Sequence, residues 1–203
     1  MNHFESVKKS YHYEEFISLM EILVANGETT GPDQSESLIF YTKLNLQRMQ
    51  RWDKVFQLNE ALASSVRKIQ PQTWWVINEA WCGDAAQCLP MIRKMEIVSS
   101  GNIEVRIILR DENLSIMDQY LTDTSRSIPK LISLDKEGNE LFIWGPRPKF
   151  AQQMMMDWKA NNNGKTLDDI EREIHLWYSK DKGQSLQEEF LEILNNRSIK
   201  KPD

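Results

Sequence analysis

The feature that most constrains this chain is a join between an apolar run and a run of small residues. Trp74-Trp75-Val76-Ile77 is followed within a few positions by Trp81-Cys82-Gly83-Asp84-Ala85. Aromatic and β-branched residues in a run of this length read as a buried strand over 73–80. Beyond it, Leu89, Ile92, Met95 and Val98 recur at steps of three and four, which puts them on one face of a helix over 86–98. A cysteine therefore stands where a strand enters a helix. The first N–H groups of a helix are unpaired, and its N-terminus carries the positive end of the dipole. Both favour the thiolate, the form of cysteine that attacks disulfides and binds metals. Asp84 opposes this, because one negative charge disfavours another beside it.

The flanking segments read as helices. Phe16, Leu19, Met20 and Leu23 share a face, and Asn26-Gly27 ends that helix. Gly31-Pro32-Asp33 is a turn, and Asp33 or Ser35 is placed to cap the next helix. A longer helical pattern spans 38–66, as one helix or as two with a bend, and Pro71 closes it. After the helix at 86–98, strand character returns over 103–109, and a short helix is expected over 114–121. Segments 130–134 and 140–144 flank Asp135-Lys136-Glu137-Gly138-Asn139, a hairpin signature. Helical patterns then run over 148–160, 167–178 and 186–194. The central order of strand, helix, strand, helix and hairpin gives an α/β fold. Its sheet is mixed and four-stranded, with a parallel pair joined by a crossover and an antiparallel pair added to it.

Composition excludes several functions. A net charge of −5 argues against a nucleic-acid surface, which needs clustered Lys and Arg, and the basic stretch over 197–201 is too short to reverse that. No apolar run is long enough to span a membrane, and the first residues lack the apolar core of a signal peptide. Two cysteines and no export signal point to the cytoplasm. His3, His12 and His175 show no ligand spacing with each other or with a cysteine, so neither a metal nor a cofactor is implied.

Four local matches make the middle of the chain resemble the thioredoxin family. Trp81-Cys82-Gly83 matches the start of the family's Trp-Cys-Gly-Pro-Cys motif. Pro90 falls eight residues after the cysteine, where thioredoxins kink the active-site helix. Arg126-Ser127-Ile128-Pro129 is similar to the segment that carries the family's cis-proline. Gly138 and Gly145 sit near the spacings of two later family glycines. The resemblance covers about residues 70–160 and implies three parts: an N-terminal helical extension (1–70), a thioredoxin-like core (71–160) and a C-terminal helical extension (161–203). The whole looks most like a bacterial thioredoxin-like group with a Trp-Cys-Gly-Asp motif and helical additions.

Two departures bear on activity. Ala85 stands where the resolving cysteine of a dithiol site belongs, and exchange needs that second thiol to release the mixed disulfide. Cys88 is no substitute. Six helical positions mean a rise of about 9 Å and a turn of about 240°, beyond the roughly 7 Å limit for bridging Cα atoms. Cys88 is expected in the core instead. Val76 takes the place of the buried acid of thioredoxins, and by alternation Glu79 faces the other way. The leading expectation is a monothiol redox protein. Cys82 is its nucleophile, and the Gly83, Asp84 and Ala85 N–H groups stabilise the thiolate. Trp81, Ile128 and Pro129 contact a protein or peptide thiol or disulfide, with glutathione as the external thiol. The second is a redox-inactive module that pairs an extended peptide with the Ile128-Pro129 loop. The helical additions also offer a homodimer surface, with Trp52, Trp158 and Trp177 as its candidates.

Overall fold

The computed structural model describes residues 3–198. Its centre is a four-stranded sheet of β1 (Gln72–Asn78), β2 (Ile103–Leu109), β3 (Lys130–Asp135) and β4 (Glu140–Trp144), in the spatial order β2-β1-β3-β4. β1 runs parallel to β2 and antiparallel to β3, and β3 runs antiparallel to β4. This is the mixed sheet expected from a strand–helix–strand unit followed by a hairpin. The hairpin turn is held by Asp135, whose carboxylate accepts from the Glu137 and Asn139 N–H groups at 3.0 and 2.8 Å.

Alternation along β1 sorts its two faces. Trp74 is fully buried and packs on Phe142 and on Phe190 from the C-terminal helix, with ring centroids 5.7 and 5.5 Å away. Its indole N–H donates to Gln72 Oε1, which also accepts from Ser133 Oγ. Trp75 faces the other way and stacks on Phe4 at 4.8 Å. The N-terminal segment thus covers one face. It also pairs with the β2 edge, where Tyr11 and Ile107 exchange both backbone hydrogen bonds at 2.8 Å. An edge paired in this way is closed to other strands.

Among the described residues, eight α-helices surround the sheet: α1 (Tyr13–Asn26), α2 (Glu36–Val55), α3 (Glu60–Val66), α4 (Gly83–Val98), α5 (Leu114–Met117), α6 (Lys149–Ala160), α7 (Leu167–Asp181) and α8 (Gln184–Ser198). α1 ends at Gly27, whose φ of +69° suits a residue without a Cβ. The 38–66 pattern is two helices. Phe56 leaves helical geometry, and Asn59 caps α3 by accepting the Leu62 N–H at 2.9 Å. Ser35 is the N-cap residue of α2 but makes no side-chain cap, while Asp33 accepts the Ser35 N–H. The expected 114–121 helix stops at Met117. α2 packs along α4, α1 on α2, α3 on α8, and α6 on α7. Of the three consecutive methionines in α6, Met155 is buried and Met156 exposed. The basic stretch over 197–201 lies outside the residues whose side chains are described.

Phe190 joins α8 to the sheet through Trp74, Phe142 and Trp144. Removing a buried aromatic ring costs about 3–5 kcal/mol. Phe190→Ala should therefore lower stability by about that amount in urea unfolding. A loss below ~1 kcal/mol would mean that α8 is not part of the cooperative core.

Candidate functional site

β1 ends at Asn78, and α4 starts at Gly83 with Cys82 as its N-cap residue. The chain turns tightly here, with the Cys82 N–H donating to the Glu79 carbonyl at 3.1 Å. Facing this turn is the loop before β3, where the Ile128–Pro129 bond is cis. Cys82 Sγ lies 3.4 Å from the Ile128 carbonyl oxygen, to which its S–H donates. Gly145, at φ +111°, holds the loop from behind. A Cβ there would collide with the Pro129 carbonyl oxygen. Sequence-distant Cys82, Ile128 and Pro129 are thus brought together, and Trp81 stands at their rim with the Arg110 guanidinium 4.8 Å above its ring.

The thiol is not poised as a thiolate. Cys82 is only 6% exposed. Burial, then the Asp84 charge, push its pKa up to about 12, against the opposing pull of the Ala85 N–H, Arg147 and the Asp84 N–H. The Ala85 and Asp84 N–H groups at the helix N-terminus pull the other way, but desolvation outweighs them. Gly83 contributes room as well. A Cβ on it would lie 2.7 Å from His175 Nε2.

Asp84 is the hub of a cluster drawn from three segments. Its carboxylate pairs with Arg147 at 2.7 Å and accepts the Tyr178 O–H at 3.0 Å. Burial pushes the Asp84 carboxyl up, while Arg147, Tyr178 and Arg48 pull it back. Cys88 is fully buried in this neighbourhood, with Sγ 3.8 Å from the Tyr178 oxygen. Both cysteines are free thiols, and Cys88 is the core residue its place in the pattern predicts. Val76 is fully buried, and Glu79 is buried apart from the thiol, its carboxylate accepting the Asp111 N–H at 2.8 Å.

A cleft of about 280 Å³ opens beside Cys82. Leu38 and Tyr41 of α2 form one wall, Glu171, Ile174 and His175 of α7 another, and Arg126, Ser127 and Ile128 a third. Arg147, Tyr178, His175 and Glu171 carry no local motif. Their segments read only as helix or turn, and no spacing to Cys82 marks them. The three tryptophans considered for a dimer surface are partly buried and packed on the core. Trp52 donates to Gln87 Oε1, Trp158 to the Lys165 carbonyl, and Trp177 stacks on Phe150. Among the described residues, no group of His, Cys, Asp and Glu could hold a metal ion, and no helix is long and apolar enough to cross a membrane.

The Thioredoxin_9 family model, described as thioredoxin, matches residues 31–159, more than half of the chain. The chain belongs to this thioredoxin family. The matched segment takes in α2 and α3 as well as the sheet, so these helices lie inside the thioredoxin match. No curated protein matches the sequence. Among solved structures, a protein of unknown function from Pseudomonas aeruginosa is 19% identical with a TM-score of 0.56, over 92% of this chain and 99% of its own. An HIV epitope scaffold is 19% identical with a TM-score of 0.54, over the same shares of the two chains. At that identity both likenesses speak to the fold alone. The thioredoxin-like α/β fold with added terminal helices, expected from the residues around Cys82 and Pro129, is the observed one.

His175 offers a direct check on this thioredoxin site. Burial, then Arg48 and Arg147, lower its pKa from 6.5 to about 4. As pH falls from 6.5 towards 4, the unfolded chain binds the proton first and the folded chain does not, so stability is lost over that window. The loss should be on the order of 3 kcal/mol by pH 4. Unfolding midpoints measured from pH 7 to 4 should fall accordingly in the native chain. His175→Gln should remove that share of the slope, and an unchanged slope would place the imidazole in solvent.

Proposed function

We propose that this thioredoxin-family chain is a binding module that grips an extended peptide or protein segment in the cleft beside Cys82. The observation that carries the reading is the state of the two facing groups. The Cys82 thiol is buried with its pKa pushed up to about 12, whereas Ser127 and Ile128 line the cleft and their N–H groups donate to no acceptor among the described residues. Unpaired backbone donors on a fixed loop are what strand addition uses. Main-chain hydrogen bonds supply affinity, and side-chain pockets supply selectivity. Leu38, Tyr41 and Trp81 provide apolar surface for the segment, and Arg110 and Arg126 at the rim are each held by an aspartate, Asp111 and Asp118. Cys82 then serves as a small group that donates to the Ile128 carbonyl and leaves the cleft open.

The monothiol reading keeps one support. The Ala85 and Asp84 N–H groups favour the thiolate, so any movement that hydrates the sulfur would lower its pKa. In that reading a protein or glutathione disulfide would be attacked by Cys82, and an external thiol would resolve the mixed disulfide, because Ala85 cannot.

The two readings separate on one experiment. Peptides selected against the full chain from a random extended library would be titrated against the native protein, Cys82→Ser and Ile128→Asp. The binding module predicts that Cys82→Ser keeps affinity within about twofold. Ile128→Asp, which buries a charge in the cleft wall, should lose more than tenfold, about 1.4 kcal/mol. Loss of binding in Cys82→Ser, or reduction of insulin disulfides at thioredoxin-like rates, would overturn the proposal in favour of thiol chemistry.

A further inference from the structure

A second and larger cavity, about 630 Å³, lies on the other side of His175, between the C-terminal half of α2, Gln87 of α4 and the end of α7. Its size is that of a small-molecule site. Trp52, Val55 and Phe56 give it an apolar wall, and Arg48, Arg51 and Lys182 give it three cations. No Asp or Glu lines it. None of the three cations forms an ion pair among the described residues. Arg48 feels the charges of Asp84 and Glu171 from the neighbouring cleft, while Arg51 and Lys182 are exposed, so the cavity itself presents cations and no carboxylate beside an aromatic wall.

The hydrogen bonds at the inner end point the same way. The Trp52 indole N–H can only donate, and it does so to Gln87 Oε1 at 2.7 Å. That fixes the Gln87 amide, whose NH₂ then faces His175 Nδ1 at 3.3 Å. Nδ1 must therefore accept, and the neutral imidazole carries its proton on Nε2. The side-chain group facing Nε2 is Arg48 Nη1, at 3.4 Å, and a guanidinium has no acceptor to offer. Arg48 Nη1 has one acceptor of its own, Asn45 Oδ1 at 3.0 Å, on its other side. Two part-buried donors thus face one another with no acceptor between them, an arrangement that an acceptor brought into the cavity would improve.

We propose that this cavity binds a small organic anion. Its carboxylate or phosphate head accepts from Arg48 and His175 Nε2–H, with Arg51 and Lys182 at the rim. Its flat apolar body lies against Trp52, Val55 and Phe56. The site is separate from the peptide cleft, although His175 stands in the wall of both.

The test is calorimetric titration of the full chain with 1-naphthyl phosphate, with 1-naphthol as the neutral counterpart and inorganic phosphate as the bare head. The expected result is one saturable site for naphthyl phosphate, with the other two at least tenfold weaker and His175 ring resonances moving on binding. Arg51 and Lys182 lie at the surface end of the cavity, so the Arg51→Glu/Lys182→Glu pair should keep the native melting temperature yet lose at least tenfold in affinity. Val55→Trp, which fills the cavity from an exposed position, should lose binding as well. No saturable binding by the native chain up to millimolar concentration would overturn the proposal. So would equal binding by both variants, or equal binding of naphthol and naphthyl phosphate.

Discussion

The Asp84 carboxylate, wedged between Arg147 and Tyr178, is the interaction on which the arrangement of this site depends. It links the start of α4, the turn after β4 and the last turn of α7, three segments far apart in sequence. All three side chains are largely withdrawn from water, so the pair makes little net stability beyond offsetting its own desolvation. Its larger consequence is positional. Removing one partner would leave a buried charge, a loss of about 3–5 kcal/mol. Alternatives in which α7 lies elsewhere are therefore disfavoured, and α7 is fixed as the lid over the α4 N-terminus.

The same carboxylate decides the chemistry of the thiol. A helix N-terminus alone would favour the Cys82 thiolate. Here the charge of Asp84 and the walls supplied by α2 and α7 outweigh two backbone N–H groups. Structural need and thiol reactivity pull against each other at nearby residues, and structure prevails. What remains of a thioredoxin site is its geometry: a cis-proline loop with free N–H groups, a helix start facing it, and a cleft between them. That geometry is what the proposed binding of an extended chain rests on, and such binding needs no redox step.

Much of this was legible in the sequence because it is encoded locally. The β1 run, the hairpin turn at Asp135 and the α4 pattern each carry their own signal, and Trp81-Cys82-Gly83 with Ile128-Pro129 located the two sides of the cleft. Cys88 could be assigned to the core from helix geometry alone. The bend after Val55 was ambiguous because apolar periodicity runs on through it, and the Asn59 cap that starts α3 is a single-residue signal. The partners that set the site's electrostatics could not be read at all. Arg147, Tyr178 and His175 are ordinary residues on a turn and on an amphipathic helix. Only the packing of α7 across the α4 N-terminus makes them neighbours of Cys82. His175, dismissed by ligand spacing, proves to be the wall between two cavities, and the glycine that admits it, Gly83, looked like part of a motif.

The protonation state of Cys82 in the folded chain decides between peptide binding and thiol chemistry at this site. The most direct measurement is the thiolate absorbance near 240 nm as a function of pH, in a Cys88→Ser background so that only one thiol titrates. A titration well above the free-cysteine value of about 8.5, together with slow alkylation at neutral pH, is the predicted result. A thiolate appearing below that value, with fast alkylation, would contradict it and return this site to thiol chemistry.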